Sequence, residues 1–305
     1  MVPTISSRVL EWPAEAAVYP GDAVRPFSAH GSNLVLDFHG DPATAGVAVF
    51  SDGNHHMALE ACVRAFADTN PGVGDVFYTT TPPGLLVDAL RGDGLAVGNL
   101  RITRKPDVFI GPSNILDDLA QDGFVKSHSA FAQSQGTVLL VRKGNPKGIT
   151  TLTDLLSDDV ILTCSNPQTE KASFAVYHEA VRLLADDAGV DEKAIVTKLT
   201  VAGPRTVHSQ LIHHREVPEL IAAGLADAAV IYYHLALRYS RVFPDIFEFV
   251  DIGGLELDKA DSRHPITRYH IGVVGDGGEF GEAFVRFMHK QAAKKLYREH
   301  GLRPL

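Results

Sequence analysis

Val47-Ala-Val-Phe-Ser-Asp-Gly-Asn54 is the stretch on which the fold turns. Four apolar residues in a row, closed by Ser-Asp-Gly-Asn, form a pattern too short for a helix. They predict a buried strand ending in a polar turn. A helical pattern opens directly after it, at His55. The same unit recurs as Asp75-Val-Phe-Tyr-Thr-Thr-Thr-Pro-Pro-Gly84 and as Asp107-Val-Phe-Ile-Gly-Pro-Ser-Asn-Ile115. Each is an apolar strand, then small hydroxyl or amide residues, then a helical pattern. Strands alternating with helices at this spacing predict a parallel sheet. In such a sheet the strand-to-helix turns line up along one edge, at the carboxyl ends of the strands. Helix N-termini there present free N–H groups and positive dipole ends, which together seat an anion.

Outward from these units, the 305 residues exceed one ordinary core and predict two domains, or one large one. Hydrophobic residues at 45% and charged residues at 21% are those of a globular chain. The formal charge of −9 offers no basic stripe to neutralise phosphates, so no nucleic-acid partner is expected. No apolar window is long enough to span a bilayer, so no membrane insertion is expected. Met1-Val-Pro-Thr-Ile-Ser-Ser-Arg-Val-Leu-Glu-Trp12 lacks a basic segment followed by an apolar run. The expected location is therefore cytoplasmic as the sequence stands, and periplasmic or extracellular if a signal peptide has been removed. Cys62 and Cys164 predict no disulfide framework and are expected to be buried.

Residues 1–45 form an extension in which only Asn33–Phe38 alternates like a half-buried strand. After the three strand–helix units, the run from Phe131 to Arg142 is extended and leads into a second α/β set. Its predicted elements are a strand at 160–163, a helix at 168–185, a strand at 195–201 and a helix at 206–224. The strand Ala228-Ala-Val-Ile-Tyr-Tyr-His234 follows, then a return to the first domain with a strand at 271–274 and one helix at 279–295. The expected division is an extension at 1–45, a discontinuous first lobe at 46–133 and 232–305, and a second lobe at 134–231. Two extended crossings between such lobes describe a hinged clamp with its ligand between them.

In this order the motifs resemble the type 2 periplasmic-binding-protein superfamily, in its molybdate-binding-protein-like branch of ABC transporter solute-binding proteins. Phe50-Ser-Asp-Gly-Asn54 stands where that family places a ligand-binding serine, and Thr79-Thr-Thr81 where it has a serine-rich turn. Asp107-Val-Phe-Ile-Gly-Pro-Ser113 is similar to its D-V-F-I-S-A segment. Ala223-Gly-Leu-Ala-Asp-Ala-Ala-Val-Ile-Tyr-Tyr233 is similar to its G-E-A-D-A-G-I-V-Y hinge, whose tyrosine can face the ligand. Lys295-Leu-Tyr-Arg-Glu-His-Gly-Leu-Arg-Pro304 resembles the ending of many solute-binding proteins. The resemblance covers residues 45–305. The chain departs from it in its long leader and in Pro82, Pro83 and Pro112, which stiffen the turns.

The candidate ligand residues sit at predicted strand ends and helix starts. In the first lobe they are Ser51, Asn54, His55, Thr79, Thr80, Thr81 and Ser113. In the second they are Ser165 and Asn166 after one strand, Arg205 at a predicted helix start, and Tyr232 and Tyr233 at the hinge strand. Ser, Thr and Asn are also the preferred helix N-caps, so capping is the competing explanation for each. Neutral hydroxyls and backbone amides suit a tetrahedral oxyanion or a carboxylate. Arg205 has the alternatives of forking an anion or standing solvated at the surface. Tyr232 and Tyr233 alternate in direction, so one is expected to face the ligand and the other the core. His208 and His213, five apart on one predicted helix, and the adjacent His55-His56 lack metal-ligand spacing, so no metal is expected. No nucleophile elbow, phosphate loop or dinucleotide fingerprint is legible, and no cofactor is expected.

These patterns predict an α/β clamp of two lobes, each a mainly parallel sheet flanked by helices. The expected function is that of a solute-binding protein closing on a small anion, a tetrahedral oxyanion such as molybdate or sulfate, or a small carboxylate. If exported, it would hand that solute to an ABC permease. One alternative is a cytosolic enzyme on the same scaffold acting on a small organic acid, with His55, Asp52 or His234 as acid or base. The other is a free-standing ligand sensor.

Overall fold

The structure, a computed structural model, describes residues 37–305 apart from 98, 99, 211 and 260. The expected extension at 1–45 lies mostly outside them. The chain begins with β1 (Asp37–His39), β2 (Val47–Asp52), α1 (His56–Thr69), β3 (Val76–Thr81) and α2 (Pro83–Arg91). A small hairpin, β4 (Leu95–Val97) and β5 (Leu100–Ile102), precedes β6 (Val108–Pro112), α3 (Ser113–Gln121) and β7 (Val125–Gln133). Then come β8 (Thr137–Arg142), β9 (Leu162–Cys164), α4 (Lys171–Ala188), α5 (Glu192–Thr200) and β10 (Thr206–His208). They are followed by α6 (His213–Ala222), β11 (Ala228–Tyr232), α7 (Tyr233–Val242) and β12 (Phe247–Val250). The chain closes with β13 (Arg268–Val274), α8 (Gly281–Met288), α9 (Gln291–Glu299) and β14 (Arg303–Pro304).

Two compact units result, and each has its own sheet. The first holds the described residues up to Gln133 and those from Arg268 onward. Its sheet runs β1-β3-β2-β6-β13-β7-β14. The central strands β3, β2 and β6 are mutually parallel, and β1 and β13 pair with β3 and β6 in the antiparallel sense. Every residue of β2 is buried, as expected of a strand covered on both faces. Val47 and Val49 point with Val76, Tyr78, Val108 and Ile110 into a core shared with α1, α8 and α9. Ala48 and Phe50 point the other way, with Phe77 and Phe109, against α2 and α3. The apolar run at 47–50 is thus apolar because both of its faces are core.

The second unit spans Ser134–Thr267. Its sheet runs β10-β9-β11-β8-β12, with β10, β9 and β11 parallel and β8 antiparallel to both β11 and β12. Phe174, Tyr177, Val181 and Leu184 recur at three- and four-residue steps on α4 and bury it against this sheet.

Several expected elements change here. The predicted strand at 195–201 is the helix α5, because the Asp191 carboxylate caps it by accepting the Ala194 N–H at 3.0 Å. Ile195 and Leu199, four apart, are its buried face. The predicted helix at 206–224 is a strand followed by a helix, β10 and α6. The single helix expected at 279–295 breaks at His289-Lys290 into α8 and α9. The hairpin β4–β5 and the strand β12 carry no clear signal in the sequence. Residues 232–267, expected with the first lobe, group with the second sheet, because Phe247–Val250 pairs with β8.

Where the chain leaves the first unit, Gly136 takes φ +114°. A Cβ there would stand 2.8 Å from Leu255 Cδ1 and 3.0 Å from His264 Cβ, so only glycine fits.

Candidate functional site

In the first unit, the three parallel strands bring their carboxyl ends to a common level. Ser51 lies opposite Thr80 and Ile110, and Asp52 opposite Thr81. Side chains alternate across the sheet, so Ser51 and Thr80 continue the face that packs on α1. Asp52, Thr79 and Thr81 continue the opposite face. Ser51, Thr79, Thr80 and Thr81 are all fully buried.

Capping does not account for these residues, since α1, α2 and α3 have no side-chain cap hydrogen bond. Ser51 donates its hydroxyl proton to the Asp52 carbonyl at 3.1 Å. The Asp52 carboxylate accepts the Asn54 N–H at 2.7 Å and so shapes the turn into α1. The Thr79 and Thr81 hydroxyls and the Asn54 Oδ1 find no partner among the described residues. A buried polar atom left unmatched costs about 1–3 kcal/mol, so three together at one sheet edge are unexplained by folding alone. Ser113 opens α3 and is partly buried.

His55 sits elsewhere than at an open edge. Its buried ring lies edge-on to Tyr269 at 3.9 Å between centroids and within 5.9 Å of Phe131 and Tyr297. It is enclosed by aromatic rings of its own unit. Asp52 and His55 belong to this unit and His234 to the other, where its ring stacks on Tyr232.

In the second unit, Cys164 lies opposite His208 on the parallel neighbour, so Ser165 and Ser209 leave adjacent strands side by side. Both preceding side chains turn to α5: the His208 ring nitrogen meets the Leu199 carbonyl at 2.8 Å and the Cys164 thiol donates to it at 3.9 Å. Ser209, one residue past β10, turns to the starts of α4 and α6, where Glu170 takes its proton, and Ser165 stands at the matching position past β9. The Ser165 hydroxyl is fully buried and has no partner among the described residues, and the same holds for Thr163 below it. Asn166 is committed: its Oδ1 accepts the Gln168 and Thr169 N–H groups at 2.9 and 3.4 Å, and its amide donates to the Ser209 carbonyl at 2.9 Å. It ties two strand-end loops together.

A buried network lies beside these serines. Glu170 accepts the His213 backbone N–H and ring Nδ1–H, each at 2.7 Å, and also the Ser209 hydroxyl proton. The other His213 nitrogen meets the Tyr177 hydroxyl at 3.1 Å, and that oxygen accepts the Tyr232 N–H at 3.4 Å. Burial pushes the Glu170 carboxyl up, but the His213 imidazole, the Ser209 hydroxyl and the His213 N–H outweigh it and bring the pKa down to about 2. Burial holds the Tyr177 phenol well above its ordinary value. Glu170, Tyr177, Ser209 and His213 were absent from the sequence-based candidates. The strand-end pattern His208-Ser209 mirrors Cys164-Ser165, but the helix expected over 206–224 concealed it.

Arg205 stands apart from this set. It lies in the turn at the amino end of β10, the edge opposite Ser165 and Ser209, with its side chain 53% exposed and paired with Asp158. Tyr232 ends β11 fully buried, with its hydroxyl 2.8 Å from the Thr267 hydroxyl and its ring against Tyr177. Tyr233 opens α7, donates its N–H to the Gly136 carbonyl at 3.0 Å and packs edge-on against Phe249. His208 and His213 occupy different elements, β10 and α6.

Among the described residues no helix is long and apolar enough to cross a membrane. The family model described as bacterial extracellular solute-binding protein matches residues 47–303. The molybdate-binding protein ModA of Mycobacterium bovis is 22% identical over 254 residues, 81% of this chain and 86% of that protein. Among solved structures, the sulfate-binding protein SubI from Mycobacterium tuberculosis aligns with a TM-score of 0.60 at 18% identity, over 85% of this chain and 86% of that one. Peb3 from Campylobacter jejuni aligns with a TM-score of 0.59 at 16% identity, over 84% and 99%.

Proposed function

As a chain that belongs to the bacterial extracellular solute-binding proteins, in the molybdate-binding-like branch of the type 2 periplasmic binding proteins, this protein works, we propose, by capturing a small anion for an ABC permease. One observation carries the choice of an anion. At two strand edges the chain keeps buried, neutral polar atoms that find no partner among the described residues: Asn54, Thr79 and Thr81 in one unit, Ser165 in the other. Buried hydroxyls and amides of this kind are balanced by a ligand that accepts hydrogen bonds. The strand-end residues 51–54, 79–81 and 165–166 include no Lys or Arg, so charge is met by dipoles rather than by counter-ions.

Asn54, Thr79 and Thr81, with Ser51, Thr80 and Ser113 beside them, line the first edge in this proposal, and Ser165, with Asn166 bracing it, the second. Tyr232 and Tyr233 stand at the end of β11 as the aromatic boundary. The molybdate-binding relative and the sulfate-binding fold neighbour make tetrahedral oxyanions the first ligands to test, with small carboxylates beside them. Capture for a permease places the protein outside the cytoplasmic membrane, which cell fractionation of the tagged native gene product checks.

The test is a thermal-shift screen of the purified chain against oxyanions and small carboxylates. A ligand at about 100 Kd stabilises by about 2.7 kcal/mol, a shift of several degrees. A shift abolished in Ser165→Ala and weakened in Thr81→Val supports anion capture. No shift with any of them rules it out.

A further inference from the structure

The hydrogen-bond polarity of the second unit narrows the ligand class, an inference that rests on the anion-capture reading above. A serine hydroxyl has a single proton to give. At Ser209 that proton goes to the Glu170 carboxylate, and Ser209 is 2% exposed, so water does not compete for it. The Glu170 oxygens are otherwise filled by the His213 N–H and Nδ1–H at 2.7 Å and by the Asn166 N–H at 3.4 Å. The carboxylate therefore stays ionised and the Ser209 proton stays committed. Toward any ligand at this strand end, Ser209 presents lone pairs only.

Its neighbour is the converse. Ser165, one residue past β9 as Ser209 is one residue past the paired strand β10, keeps a hydroxyl with no partner among the described residues and has a proton to offer. Parallel strands stand about 5 Å apart, so one small ligand spans a donor and an acceptor here. Asn166 does not restore the balance, because its oxygen and one of its N–H groups are already used.

We propose that Ser209, its proton held by Glu170, selects an oxyanion that carries an O–H of its own over one that only accepts. Molybdate and sulfate at neutral pH are acceptor-only dianions. They would set oxygen against the Ser209 oxygen, with the Glu170 charge directly behind it. Hydrogen phosphate brings an O–H on the oxyanion itself, and a hydroxy acid such as glycolate brings one beside its carboxylate. Both satisfy Ser165 and Ser209 together. A site built to receive a donor rejects analogues that lack it, because its own polar group is left unpaired.

The experiment is calorimetric titration of the full chain, of Glu170→Gln and of Ser209→Ala with molybdate, sulfate, inorganic phosphate and glycolate at neutral pH. Phosphate or glycolate is expected to bind the wild-type chain at least about tenfold tighter than molybdate and sulfate. Which of the two does so distinguishes a protonated tetrahedral ion from a hydroxy acid. In Glu170→Gln the amide can donate to Ser209 and release its proton, so the ratio shifts toward the acceptor-only ions by about tenfold. A purely structural role of Glu170 would weaken all four anions alike and leave the ratio unmoved. Ser209→Ala removes the lone pairs and lowers the ratio too, which decides the matter if Glu170→Gln does not fold. Molybdate or sulfate binding the wild-type chain as tightly as phosphate and glycolate, or a ratio that survives both substitutions, overturns the proposal while leaving anion capture intact. If none of the four binds, anion capture itself fails and this inference with it.

Discussion

Ring nitrogen Nδ1 of His213 lies 2.7 Å from Oε1 of Glu170, across 43 positions of sequence, and this pair joins the start of α6 to the start of α4. Ser209 hangs from the same carboxylate and Tyr177 from the opposite side of the imidazole. The ends of β9, β10 and β11 are thereby tied to one buried ionisable centre.

Acid should unpick this centre in a defined window. The Glu170 pKa is lowered from 4.5 to about 2 on folding, so the carboxylate adds stability above about 4.5 and loses it as pH falls toward 2. The full shift corresponds to at most about 3 kcal/mol. Urea unfolding followed between those pH values should show wild-type stability falling more steeply than that of Glu170→Gln. Parallel curves would mean the pair contributes no pH dependence.

Tyr177→Phe removes the oxygen that stands between His213 and the Tyr232 N–H. The His213 ring nitrogen then loses this contact and the Tyr232 N–H this bond, which should cost about 1–3 kcal/mol with little change in core volume. The midpoint of chemical denaturation measures it. A cost below about 0.5 kcal/mol would show that the hydroxyl is not needed there.

Thr81→Val tests whether an unmatched hydroxyl is held for a ligand. The swap keeps the shape and removes a fully buried oxygen without a described partner. The ligand-free protein should be as stable or up to about 1 kcal/mol more stable, while anion affinity falls severalfold. Loss of stability in the ligand-free protein would assign the hydroxyl a structural partner instead.

Gly136→Ala forces a side chain onto φ +114° and into Leu255 and His264. A destabilisation of about 2 kcal/mol or more is expected, visible as a drop of several degrees in Tm. Gly144→Ala is the matched control: φ is +77° and no atom stands within 4 Å of the added Cβ, so only backbone strain acts and the drop should be smaller.

The parts of this protein that sequence alone determined are those decided by burial on a face. Val47-Ala-Val-Phe50 announces a strand covered on both sides, and it is the middle of the first sheet. The strand-end hydroxyls at 51, 79–81 and 165 were legible for the same reason, since each group closes a short, largely apolar strand pattern. Local signals failed where they competed. Ile195, Val196 and Thr197 favour a strand one by one, but the Asp191 cap and the burial of Ile195 with Leu199 make a helix. Only the tertiary structure decided which polar atoms are spent and which are left. Ser209 meets Glu170 across 39 positions, and Asn166 meets Ser209 across 43. No periodicity encodes such a meeting, because a hydrogen bond depends on which strand ends the closed sheet sets side by side.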